Sequence, residues 1–128
     1  MKVITQREFD AFPLNAGRRQ CPSGDYAAID IFPRRCDFGP ECSFGPQSAF
    51  GPHCSFGAGC TFDQKCKFYF RCDFGSGCIF GRVCRFTQSC RFGSVCIFGP
   101  ECIFGNWCSF GADCVFAAEC KLSRWCLT

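Results

Sequence analysis

Apolar residues in this chain recur on a period of six. From Cys36 the sequence reads CDFGPE CSFGPQ SAFGPH CSFGAG CTFDQK CKFYFR and continues in this manner to Cys126. The unit is C-x-F-G-x-x. Its first slot holds Cys from Cys36 to Cys126, with Ser48 the one exception, and its third holds Phe from Phe32 to Phe116 and then Leu122. Side chains alternate across a strand, so slots 1 and 3 share one face and slot 2 the other. Cys and Phe are therefore expected to point inward and slot 2 outward. Gly in slot 4 is expected at a corner, where positive φ or tight packing is tolerated. A short fixed period of this kind is the signature of a solenoid. Asp30-Ile-Phe-Pro-Arg-Arg35 reads as a degenerate first unit, and Tyr26-Ala27 fits the Phe and Gly slots of an earlier one.

The exceptions in slot 4 count the sides of a coil. Gly is replaced at Ala27, Pro33, Asp63, Tyr69, Thr87, Ala117 and Ser123. On a spacing of eighteen these fall into two classes, Ala27, Asp63 and Ala117 against Pro33, Tyr69, Thr87 and Ser123. The third class, Gly39, Gly57, Gly75, Gly93 and Gly111, has no exception. On a spacing of twenty-four, as a four-sided coil requires, the exceptions scatter. The prediction is an all-β fold, a three-sided parallel β-helix over residues 30–128 with eighteen residues per coil. That gives roughly five and a half coils, about 26 Å at the strand spacing of about 4.8 Å.

The segment before residue 30 breaks the pattern and is expected to be an N-terminal cap over residues 1–29. Thr5-Gln-Arg-Glu8 reads as a capping box opening a short helix over about residues 6–12, with Ile4 and Phe9 placed for a hydrophobic staple and Pro13 ending it. Phe9 and Phe12 are expected to lie over the open top of the solenoid. Residues 14–29, with Asn15, Gly17, Pro22 and Gly24, read as loop. At the other end the repeat runs to Cys126-Leu-Thr128 without a cap sequence, leaving a strand edge that invites association.

This register resembles the hexapeptide-repeat, left-handed β-helix family, whose unit is a small residue, any residue, an aliphatic residue and then Gly or similar. The likeness covers about three-quarters of the chain and implies left-handed coiling. The departure is Phe for the aliphatic residue and Cys for the small one. The tandem C-x-F-G array is also similar to uncharacterised proteins of phage and prophage type, which implies an accessory or counter-defence role. The hexapeptide-repeat family includes acyltransferases, which use a His general base at a subunit interface, and carbonic anhydrases, which hold zinc on several His. The one His here is His53, at an outward corner, so a hexapeptide-type acyltransferase is kept only as an alternative.

Composition narrows the classes further. A net charge of +3 is too mild for a histone-like protein and of the wrong sign for an acidic DNA mimic. The N-terminus lacks the apolar stretch of a secretory signal, and no run approaches the roughly 18 apolar residues of a membrane span. The 16 Cys recur regularly and contain no C-x-x-C, unlike a disulfide framework or a paired-Cys zinc site. They are read as reduced, buried thiols of a cytoplasmic protein. Burial excludes them as nucleophiles, and no P-loop, H-E-x-x-H or Ser-His-Asp arrangement is evident. A non-enzyme without cofactor or metal is expected. Ice binding, which favours a Thr-rich flat face, finds only Thr61 in slot 2.

Slot 2 and the corners carry the candidate surfaces. Slot 2 gives face A (Asp37, Ser55, Asp73, Arg91, Ser109), face B (Ser43, Thr61, Ile79, Ile97, Val115) and face C (Ala49, Lys67, Arg85, Ile103, Lys121). Ile79, Ile97 and Val115, with Leu122 and Leu127 near the last coil, are candidates for a homo-oligomer interface, a dimer being favoured. The corner after face C gathers Tyr69, Phe70, Arg71, Trp107, Arg124 and Trp125, flanked by Lys67, Arg85 and Lys121. Trp and Arg anchor protein contacts, whereas aromatic and basic side chains together also hold nucleotides or other phosphate-bearing ligands. A protein partner is the first expectation for this corner and a phosphate ligand the second.

Overall fold

Each hexad forms one very short strand, and each strand pairs in parallel with the strand eighteen residues later. Asp73 and Phe74 pair with Arg91 and Phe92 on one side and with Ser55 and Phe56 on the other. The computed structural model describes residues 1–127. Its strands form three sheets of seven, five and six strands, which are faces A, B and C. The protein is thus a three-sided parallel β-helix with the predicted register. Along the solenoid, slot 2 N–H groups donate to slot 1 carbonyls of the coil before, as Ile79 does to Cys60 at 2.9 Å, and slot 4 N–H groups to slot 3 carbonyls, as Gly93 does to Phe74 at 2.8 Å.

The interior explains why Phe replaces an aliphatic residue. Rings eighteen apart stack nearly parallel at strand spacing, Phe50 on Phe68 at 4.9 Å and 2°. Rings six apart meet edge to face, Phe50 with Phe56 at 5.1 Å and 86°. Both distances lie in the range where aromatic quadrupoles attract. Three ladders of Phe fill the axis, and nearly all their rings are buried.

Cys does more than fill space. The slot 4 carbonyl turns inward at the corner and is met by the thiol 21 residues later. Cys60 donates to Gly39 at 3.4 Å, Cys96 to Gly75 at 3.4 Å and Cys102 to Gly81 at 3.3 Å. A thiol is a weak donor, but a buried carbonyl without any partner is costly. Ser48 also reaches a slot 4 carbonyl, but that of Gly45 three residues before it, to which its hydroxyl donates at 2.8 Å.

The corner chemistry differs from expectation. Slot 4 Gly does not take positive φ; it lies against the coil before. A Cβ on Gly57 would sit 2.6 Å from the Pro40 nitrogen, and one on Gly93 2.7 Å from that of Ser76. Left-handed backbone falls instead in slot 6, from Arg35 and Glu41 through Arg71, Val83, Val95 and Trp107 to Trp125, with φ between 56° and 68° in the non-Gly residues. This costs about 1–2 kcal/mol per residue, and Val is among the worst residues for it. From Arg35 to Trp107 each slot 6 N–H donates to the slot 5 carbonyl of the following coil, as Val83 does to Pro100 at 3.0 Å and Trp107 to Arg124 at 3.1 Å, while Asp113, Glu119 and Trp125 in the last coil take the same conformation without that bond. Slot 6 side chains consequently form ridges along the corners.

The cap is more structured than its sequence indicates. Helix α1 spans Gln6–Asp10, with both bonds of the Thr5–Glu8 capping box made. Residues 14–29, expected as loop, contain a hairpin of Leu14–Asn15 with Arg18–Cys21, whose turn residues Ala16 and Gly17 both take positive φ. Its second strand pairs in parallel with Cys36–Phe38 and extends face A. Arg18 fastens it, donating to Asp37 and to the His53 carbonyl, both at 2.7 Å; the bond to Asp37 raises the guanidinium pKa. Phe9 covers the first coil, its ring 5.4 Å from Phe32 and edge-on. Tyr26 takes the Phe slot, stacked on Phe44 at 5.4 Å, and burial pushes its phenol pKa up. At the opposite end Phe116 is half-buried and Leu122 exposed.

Candidate functional site

The corner between faces C and A is the one where slot 6 carries aromatics. Successive coils place His53, Arg71, Ser89, Trp107 and Trp125 in one column, each eighteen residues after the last. Left-handed backbone turns all five outward along the ridge. Trp107 and Trp125 are 58% and 60% exposed and stack at 5.4 Å and 10°. Beside the column, Tyr69 in slot 4 and Phe70 in slot 5 are also exposed, and Phe70 meets the His53 ring edge-on at 5.6 Å. Arg124 precedes Trp125 in slot 5.

The structure does not gather the predicted basic residues around these aromatics. It divides them among three grooves. Arg71 and Trp107 border a groove of about 400 Å³ on the face A side, together with His53, Asp73, Ser89 and Arg91. Lys67 and Arg85 lie across face C in a groove of about 670 Å³, with Lys65, Gln47, Asp30 and Val83. Lys121 lies in a third, of about 540 Å³, with Glu101, Glu119, Ile103 and Cys120. Slot 6 belongs to the strand that follows it, so Arg71 faces Arg91 rather than Lys67. Arg91, His53 and Ser89 therefore share a groove with Arg71 and Trp107, while Lys67, Arg85 and Lys121 line the other two. Their spacing was visible in the sequence; the left-handed slot 6 that turns them together was not.

The electrostatics of the groove are cationic. Arg91 Nε lies 3.6 Å from Asp73, with both side chains more than half exposed, so the pair is weak in water. Among the described residues Arg71 has no carboxylate partner within ion-pair distance. His53 and Ser89 are two coils apart, about 9.6 Å at the strand spacing, well beyond the reach of a base and its nucleophile.

The apolar candidates divide as well. Ile79, Ile97 and Val115 form a ladder on face B, in register and roughly half exposed. Leu122 ends the face C ladder, and Leu127 bridges to Ser109 on face A. Ile79, Ile97 and Val115 are thus one surface, to which Leu122 and Leu127 do not belong. Near this end Cys114 and Cys120 are only half-buried, and desolvation still pushes their thiol pKa values up.

A family model for an RNA-binding, Nab2-type zinc finger of the CCCH class matches residues 49–63, 83–99, 89–105 and 101–117. The last three of these segments overlap in sequence, and together the four cover less than half of the chain. No curated protein matches the sequence, and no solved structure matches it. The residues do not fit a Cys₃His zinc site. His53 is the one His of the chain and lies only in the first segment. Cys residues six apart sit on three different walls, and their thiols are engaged with corner carbonyls. Among the described residues no three His, Cys, Asp or Glu side chains are grouped to hold a metal ion. No helix of the described residues is long and apolar enough to cross a membrane.

Proposed function

We propose that this protein is a non-catalytic binding module that recognises a protein partner at the corner between faces C and A. The observation that carries the reading is the exposed Trp107–Trp125 stack along the slot 6 ridge. A solenoid does not need indoles in solvent: slot 6 at the other two corners holds Glu, Gln, Asp, Lys, Val or Gly. Two large rigid side chains bury much area at little entropic cost, as interface anchors do. The RNA-binding character of the matched finger family lends no support, since what the matched segments offer such a finger is regularly spaced Cys, and those Cys are interior.

The test is affinity capture from the native host with wild type and with Trp107→Ala/Trp125→Ala. A partner held by wild type at raised salt and lost from the double variant supports the reading. Equal capture by both removes it. A homodimer through the face B ladder is a further part of this reading. Equilibrium sedimentation should show a wild-type oligomer that Ile97→Asp/Val115→Asp weakens; a monomeric wild type removes it. An accessory role in a phage-type setting is compatible with either contact.

A further inference from the structure

Along the slot 6 column the large side chains are interrupted once. Ser89 stands between Arg71 one coil before and Trp107 one coil after. Two coils separate the guanidinium from the indole, about 9.6 Å at the strand spacing. A planar ring packed on both sides at van der Waals contact needs about 7–8 Å, and the flexible Arg71 stem covers the difference. Ser89 is small, half-buried and forms the floor of this slot. One face of the Trp107 indole is covered by Trp125; the other looks into the slot. Guanidinium and indole are the two side-chain groups best suited to stack on a flat ring.

At the mouth of the slot, on face A, stands Arg91. Arg91 turns its Nε to Asp73, and none of its terminal nitrogens is hydrogen-bonded to another described residue. They remain available for a bidentate anion contact. A flat ring in the slot and an anion at its edge are the two halves of a nucleotide.

The geometry points to a nucleotide site over Ser89, with the base sandwiched between Trp107 and Arg71 and the phosphate on Arg91. The inference rests on the reading that this corner is a recognition surface, but not on the partner being a protein. It uses the face of Trp107 that Trp125 leaves open, so a ligand here and a partner on the outer ridge are separable.

The only two Trp of the chain lie at this corner, so intrinsic fluorescence reports on the site directly. The wild-type protein is titrated with adenosine monophosphate, with adenosine, and with inorganic phosphate. Saturable quenching by the nucleotide is expected, weaker as salt rises, with adenosine at least about tenfold weaker because a charge-assisted contact is lost. Phosphate alone should leave the emission unchanged. Ser89→Leu fills the slot, and slot 6 already accepts Val and Trp, so the fold is kept; binding should fall at least about tenfold with the loss of stacking. Trp125→Ala should retain binding, read by calorimetry and by the remaining indole. No saturable signal by about 1 mM nucleotide, or equal binding by Ser89→Leu, overturns the site. Loss of partner capture in Trp107→Ala/Trp125→Ala would stand regardless, so failure of the nucleotide site and failure of the recognition surface are distinguished.

Discussion

Two columns of the same solenoid, one inside and one at the corner, obey different rules. Inside, Phe32, Phe50, Phe68, Phe86 and Phe104 repeat one residue at one spacing, each ring stacked on the next. At the corner, His53, Arg71, Ser89, Trp107 and Trp125 share equally regular backbone but no two neighbours are alike until the last pair. The difference shows where the fold exerts its constraint. An interior ring must match two stacked and several edge-on neighbours, so a single solution recurs. A slot 6 side chain meets mainly solvent and the residues directly before and after it in the column. Variation there is free of packing and is the part of the molecule open to recognition.

That contrast is broken most severely from the inside. Phe80 stacks on Phe62 at 4.8 Å and on Phe98 at 5.0 Å and is almost fully buried. Phe80→Ala should cost about 3–5 kcal/mol, enough to unfold a domain of this size or greatly lower its midpoint in chemical denaturation. A loss under about 1 kcal/mol would mean that the ladder does not act as a core. The interior thiols give the next effect. Cys96→Ala strips the donor from the Gly75 carbonyl and should cost about 1–3 kcal/mol. Cys96→Ser keeps a donor in the same slot and should cost less. Equal costs would show that the thiol acts by volume alone. Trp107→Ala, by contrast, should change stability by no more than about 0.5 kcal/mol, because the indole is mostly in solvent. A larger loss would place the Trp pair among the packing elements and remove it as a free recognition surface.

The two columns also differ in how far they can be read without coordinates. The interior was legible because strand alternation and an eighteen-residue spacing leave one arrangement of Cys and Phe, and the slot 4 exceptions fixed three sides. The same reading grouped Lys67 and Arg85 with Trp107, since all lie near one corner in the chain. What separated them was a left-handed residue in slot 6. Its conformation carries no composition signal, because Arg, Glu, Val, Ser and Trp all adopt it. From Arg35 to Trp107 it accompanies a hydrogen bond to the next coil, a tertiary feature. The Leu14–Cys21 hairpin is faint in the sequence for a related reason: its strands are polar or short, and only the Asn15-Ala16-Gly17 turn marks them.

The smallest effect belongs to the cap, the one part that obeys neither column. Glu8 is held at a pKa of about 2, below its ordinary 4.5, by the hydrogen bond from Lys2 and then by the backbone N–H of Thr5. A carboxylate whose folded pKa is depressed contributes stability that is complete above its unfolded pKa and is lost as pH falls towards the folded one. The contribution of Glu8 should therefore be present at neutral pH, decline below about 4.5 and vanish near pH 2. The Glu8 side chain is 34% exposed and that of Lys2 70%, so solvent and salt screen the effect. Amide exchange in residues 4–9, compared between wild type and Glu8→Gln, is the measurement sensitive enough to see it. Protection of these amides should differ at pH 7 and converge as the pH approaches 2, while the interior Phe amides exchange alike in both proteins. A difference that persists unchanged to the lowest pH would mean that the side chain acts through its shape and neutral hydrogen bonds. The same difference appearing in the Phe ladders would mean that the cap and the solenoid open as one unit.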